Sequence, residues 1–295
     1  MQLRFLRPLL PVCLFVLATA GAPRAEPVTG WLDRLNFYRA TAQLPPVVED
    51  ASLSGAVKRH AMYMVAHGVV KHSEDRGDSW ATPEGAAAAA VSNLAGSSRS
   101  TESDVWAVDL WMQAPFHALG MLDPALRTVG FGIERAAGHG KVQTAAGLDV
   151  IRGRSPTPAG AAAYPVVWPA NGATVPIAAH TAEYPSPLTS CPGYEAPTGL
   201  PLIVQLGSGG TVPHVIESWV LEGKTALEHC AFDELTYRNR DAVQQALGRR
   251  ILASRNAIVL IPREPLRPGA SYRAVIEVNG RLIAWAFSVS KDLRS

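Results

Sequence analysis

Apolar positions along this chain change their period about half-way. From Ala51 to Gly68 the residues Leu53, Val57, His60, Met64 and Gly68 recur at helical spacing. That pattern predicts an amphipathic helix, capped by Asp50 and stopped by Gly68. Trp31 to Ala42 predicts a shorter helix with Leu32, Leu35 and Tyr38 on one face, ended by Pro45-Pro46. The alanines from Ala86 to Ala90 favour a third helix, with side chains small enough for close backbone approach. A soft break is expected at Gly96-Ser97-Ser98. Thr101 to Asp104 then offer cap residues for a helix through Met112. Pro115 interrupts it and leaves Phe116-His117 at a helix end or on a short second helix. Val129–Arg135 and Lys141–Arg152 read as strands, joined by a turn at Gly138-His139-Gly140.

Residues 153–165, rich in Pro, Gly and small side chains, read as a linker. Beyond it the pattern is that of strands: Val166–Pro169, Leu202–Leu206, Val215–Leu221, Ala257–Ile261, Tyr272–Val278 and Arg281–Val289. Asn279-Gly280 is a hairpin signal between the last two. Asp241 to Leu252 is helical and reads as an insertion. The expected architecture is α/β in the first part, residues 31–152, and an all-β sandwich over 166–290.

A length of 295 residues leaves room for two domains, and 47% hydrophobic with 18% charged residues fits globular folding. A formal charge of +2 and the lack of a basic stripe with interleaved aromatics argue against a nucleic-acid partner. The first 25 residues look like a signal peptide. Arg4 and Arg7 precede a short apolar run from Leu9 to Ala20, and Ala18-Thr19-Ala20 and Pro23-Arg24-Ala25 resemble cleavage sites. An uncleaved anchor is the alternative. Val12 before Cys13 does not suit a lipid attachment signal. No later run approaches a membrane span, so a secreted or periplasmic mature chain is expected. Export leaves Cys191 and Cys230, an even pair that suggests one disulfide, with two buried thiols as the alternative.

The polar candidates are His72, Glu84 and His117, each in its own local pattern and each at an expected loop or helix end. Brought together, two imidazoles and a carboxylate make a cleft site. His72 and His117 could hold Zn²⁺, with Glu84 orienting a water or completing the site. The plainer alternative is a hydrogen-bonded network that fixes loops. No H-E-x-x-H or G-x-S-x-G occurs, and Leu206 to Gly210 lacks the lysine of a phosphate loop. Ser73 and Ser79 are nearby hydroxyls only. His60, on an apolar stripe, reads as a core histidine. His67 reads as an exposed last-turn residue.

The motifs L-N-F-Y-R-A (35–40), L-S-G-A-V-K-R-H-A (53–61), K-H-S (71–73), T-P-E-G (82–85), Trp111 to His117, and V-G-F-G (129–132) follow one another in an order that resembles the CAP superfamily. This is the cysteine-rich secretory, antigen 5 and pathogenesis-related group of SCP-like extracellular domains, and the similarity is to its bacterial branch. The resemblance implies an α-β-α sandwich with a cleft of two His and two acidic residues. His72, Glu84 and His117 match three of these, and Ala114 stands where the second carboxylate belongs, with Asp109 near but out of place. The C-terminal half resembles an immunoglobulin- or fibronectin-like module. The implied function is non-enzymatic extracellular binding of a lipid, sterol or cell-surface component. A metal-dependent hydrolase using the same cleft is the alternative.

Overall fold

A computed structural model describes residues 30–137, 140–155, 164–207 and 212–293. The expected signal peptide, residues 156–163 of the expected linker, Gly138-His139 and residues 208–210 of the Gly-rich run lie outside the described residues.

The N-terminal half runs α1 (Trp31–Ala40), β1 (Val48–Glu49), α2 (Ala51–His67), α3 (Pro83–Ala89), β2 (Ser92–Ser97), α4 (Trp106–Met112), α5 (Pro115–Met121), β3 (Thr128–Arg135) and β4 (Thr144–Asp149). The strands form one sheet in the order β1-β3-β4-β2. α2 follows the sequence pattern closely. The Asp50 carboxylate accepts the amides of Ser52 at 2.8 Å and Leu53 at 3.1 Å. Gly68 closes the helix at φ 63°, a left-handed conformation that favours glycine.

The V-G-F-G motif sets how closely α2 approaches the sheet. A Cβ at Gly130 would strike the backbone of Leu53 and Ser54, and one at Gly132 the backbone of Val57 and Lys58. Side chains alternate along β3, so Val129 and Phe131 face the other way. There they join Leu35 and Tyr38 of α1, Trp111 of α4 and Leu119 of α5 in the main apolar core. The half is thus three layers: α2 and α3, the sheet, then α1, α4 and α5.

Two local expectations fail here. The break expected at Gly96-Ser97-Ser98 is the end of β2, which pairs antiparallel with β4 from Ser92↔Asp149 to Ser97↔Thr144. Its small and polar residues carry no period-two signal. The cap expected from Thr101 to Asp104 is not made: α4 starts after Val105 without a side-chain cap. Glu102 instead accepts from Ser97, and Asp104 pairs with Arg135.

The C-terminal half has a four-stranded sheet, β12 (His229–Phe232), β13 (Ala257–Pro262), β9 (Leu202–Gln205) and β5 (Val166–Trp168), in that order. A five-stranded sheet follows the order β11 (Thr225–Leu227), β10 (Val215–Glu222), β14 (Ser271–Val278), β15 (Arg281–Val289) and β6 (Thr174–Val175). β7 (Ala179–His180) and β8 (Thr198–Gly199) pair separately. Asn279 and Gly280 both have positive φ, 52° and 71°, and form the expected hairpin between β14 and β15. The expected helix is α6 (Ala242–Ala253), capped by Asp241. β6, β7, β8, β11 and β12 were not anticipated; two to four residues are too few to show a period. Cys191 and Cys230 are disulfide-bonded, with Cα atoms 5.6 Å apart.

All residues of β9 and β13 are buried, because both faces of their sheet are covered. The outer cover includes the N-terminal half. Phe116 of α5 meets Tyr237 edge-on at 5.2 Å and Phe232 at 6.3 Å. Gln205 donates to the Leu122 carbonyl at 2.9 Å, and Arg255 pairs with Asp123 at 2.8 Å in a buried contact. Trp168 donates to Thr41 at 3.0 Å. One apolar cluster runs without a gap from Trp111 and Leu119 through Trp168 and Ile203 to Ile276.

Candidate functional site

His72 lies in the loop after α2, and Nδ1 sits 2.8 Å from the carbonyl of Ala89 at the end of α3. A carbonyl only accepts, so Nδ1 carries the hydrogen and Nε2 of the neutral ring keeps its lone pair. Desolvation pushes the His72 pKa below the ordinary imidazole value. The Ala89 hydrogen bond opposes this, and the charges of His117 and His60 add to it. His72 and His117 are therefore electrostatic neighbours, although they come from separate elements.

His117 stands on the first turn of α5, which begins at Pro115. Its Nδ1 lies 2.6 Å from Oε1 of Glu183, a residue of the C-terminal half. The same carboxylate accepts the backbone amides of His117 at 2.8 Å and Phe116 at 3.2 Å. The Glu183 side chain is 0% exposed and that of His117 17%, so the pair is sealed on one side and open on the other. Asn93 of β2 donates to the His117 carbonyl at 3.1 Å and fixes the turn from below. Neither His72 nor His117 has a protein partner at Nε2 among the described residues. One residue before Asn93, the hydroxyl of Ser92 is buried and also unpartnered.

His60, as its apolar stripe suggested, is a core residue with both nitrogens engaged. Nδ1 is 2.9 Å from Glu74 Oε1 and Nε2 is 2.9 Å from the Lys71 carbonyl. Glu74 Oε2 accepts the Thr82 amide at 2.7 Å. His67 bonds Asp78 at 3.1 Å near the surface.

Glu84 occupies the first turn of α3, exposed, with no hydrogen bond or ion pair among the described residues. Nothing joins it to His72 or His117. Ala114 is the buried N-cap of α5. Asp109 is buried and accepts from the Tyr38 hydroxyl at 2.7 Å, with Arg34 at 3.3 Å. The carboxylate that does reach the α5 turn, Glu183, sits in T-A-E-Y-P between β7 and a short 3₁₀ turn (Pro187–Ser190). No motif or period marks it in the sequence.

The Zn²⁺ site expected on His72 and His117 can be tested against these donors. Among the described residues no group of three or more His, Cys, Asp or Glu is arranged to hold a metal ion. Two imidazoles fall short of the three protein ligands usual for catalytic zinc, and Glu183 is spent on Nδ1 and two amides. The residues present do not fit a resident zinc. They fit two hydrogen-bond acceptors. A cavity of about 340 Å³ opens beside the His72 loop, with Ala81, Pro83 and Ala86 among its apolar lining and Glu74, Asp75 and Arg76 among its charged lining.

Residues 32–146 match the family model CAP, the cysteine-rich secretory protein family. Over that stretch the chain is similar to a CAP domain. The match runs from α1 to the middle of β4 and so contains His72, Glu84 and His117, while Glu183 lies beyond it. No curated protein matches the chain. Among the described residues no helix is long and apolar enough to cross a membrane.

Proposed function

We propose that this chain is an exported CAP-domain protein of the bacterial type that binds an extracellular ligand at the His72–His117 cleft. Its C-terminal half is read as an immunoglobulin-like sandwich. One observation carries the binding reading: both imidazoles have Nδ1 tied back, to Ala89 and to Glu183, and Nε2 without a protein partner among the described residues. Two lone pairs in a partly desolvated cleft recognise a ligand that donates, such as a hydroxyl. The cavity between the loop after α2 and the start of α3, which neither histidine lines, is of a size to take a small apolar body. A sterol or another hydroxylated lipid meets both requirements.

Hydrolysis is the second reading, and Glu183 favours it, because a carboxylate-backed imidazole is the arrangement of a general base. The binding reading is tested by calorimetric titration of the protein with a sterol alcohol and with its methyl ether. The alcohol binds about tenfold tighter, the worth of roughly one good hydrogen bond. The His72→Ala/His117→Ala double variant loses that difference while the domain stays folded. Equal affinity for alcohol and ether would sink the hydrogen-bonding role. Sustained ester hydrolysis that disappears in His117→Ala would replace it with the enzyme.

A further inference from the structure

We infer that Glu183 is a positioning residue for His117, so that the cleft in the CAP domain is completed by the other half of the chain. A carboxylate removed from water is costly unless its oxygens find donors. Glu183 is fully buried, and the donors found for it are the His117 ring and the amides of Phe116 and His117. Its charge is thus directed at one turn of α5.

The segment that brings it there is fixed on both sides. His180, three residues earlier, is buried and bonds the Gln113 carbonyl at 2.9 Å. Behind α5, Phe116 is packed on Phe232 and Tyr237. The Tyr237 hydroxyl donates to the Ser186 carbonyl at 2.9 Å, three residues past Glu183. The consequence is chemical as well as structural. A carboxylate at Nδ1 holds the ring in one tautomer, with the proton on Nδ1 and the lone pair on Nε2. The α5 turn itself offers no side chain for this, since Ala114 and Pro115 precede His117. A carboxylate reaching in from 66 residues away does what no neighbour in sequence can.

The assignment rests on the proposed binding reading only for its ligand arm. The tautomer of His117 in the full chain is read by long-range proton–nitrogen NMR near neutral pH. The wild-type protein holds the proton on Nδ1. Glu183→Gln, whose amide can accept or donate, gives a mixture of tautomers, and Glu183→Asp restores the Nδ1–H form in part. Sterol-alcohol affinity falls about tenfold in Glu183→Gln, the worth of roughly one good hydrogen bond. A merely structural role would lower stability and leave the tautomer alone. Wild-type His117 protonated at Nε2, or an unchanged tautomer in Glu183→Gln, overturns the inference without needing any variant to bind a ligand. A shifted tautomer with no sterol binding in the wild type upholds Glu183 and removes the ligand reading.

Discussion

Among the described residues, two carboxylate–imidazole pairs with a buried carboxylate differ in how much of the ring is committed. In His60–Glu74 the nitrogen and oxygen are 2.9 Å apart, and the second ring nitrogen is also taken, by the Lys71 carbonyl. In His117–Glu183 the distance is 2.6 Å and the second nitrogen has no partner among the described residues. His60 is 0% exposed and His117 17%. Both nitrogens of His60 are engaged within the protein, so the ring has nothing left to offer a ligand. Its work is to fasten the loop after α2 to the helix. His117 spends one nitrogen on being held and keeps the other. The presence of a buried His–carboxylate pair therefore does not mark a functional site; the count of uncommitted ring nitrogens does.

The largest expected effect separates the two pairs by stability. His60→Ala leaves the Glu74 carboxylate buried beside an empty space, with only the Thr82 amide. Removing one partner of such a pair costs about 3–5 kcal/mol. His117→Ala leaves Glu183 two backbone donors and opens onto solvent, so it costs about 1–2 kcal/mol. Urea unfolding of the two variants checks the order. Ligand affinity should rank them the other way. A larger loss of stability in His117→Ala would mean that the His117 pair is the structural one.

How much of this was legible in the sequence follows the range of the interactions. α2, with its cap and its glycine stop, is written in contiguous residues, and so are the Asn279-Gly280 hairpin and the His60 stripe. V-G-F-G was visible as a motif, and the structure supplies its reason in the contact with α2. β2 was hidden because Ser92-Asn93-Leu94-Ala95-Gly96-Ser97 is held by β4 and not by its own pattern. The site was half legible. His72 and His117 sit in recognisable local sequences, but the carboxylate at His117 comes from a loop with no signal of its own. Glu84 was the natural candidate because it shares a motif with a helix start. A glutamate there is well accounted for by the helix: it lies in the first turn of α3, where a negative charge is favourable.

The open side of the comparison also has a pH signature. His72 has its pKa lowered, chiefly by desolvation, so the fold holds it neutral where the unfolded chain would take a proton. Its contribution is present above the ordinary imidazole value of about 6.5 and is lost as pH falls through the lower folded value. Between about pH 7.5 and about pH 5.5 the wild type should lose more stability than His72→Gln, which has no proton to take up. NMR should place the His72 midpoint below that of a free histidine. A midpoint at or above the ordinary value would mean that a negative charge faces the ring, and the two-acceptor cleft would have to be redrawn.

The smallest expected effect is the most discriminating for the carboxylate. Glu84 is exposed and holds nothing, so Glu84→Ala removes only a favourable charge near the start of a short helix. That is worth about 0.5 kcal/mol or less at an exposed position. Sterol-alcohol affinity and the His117 tautomer should not move. The contrast with Glu183→Gln is then a contrast of place. One carboxylate lies inside the stretch matched by the CAP family and has no hydrogen bond or ion pair among the described residues; the other lies outside it and touches His117. If Glu84→Ala weakens binding as strongly as Glu183→Gln does, the acidic partner of the two histidines is the one in T-P-E-G, and a rearrangement of α3 must bring it to the cleft when the ligand binds. If only Glu183→Gln weakens binding, the site spans both halves of the chain, as the contact between Glu183 and His117 requires.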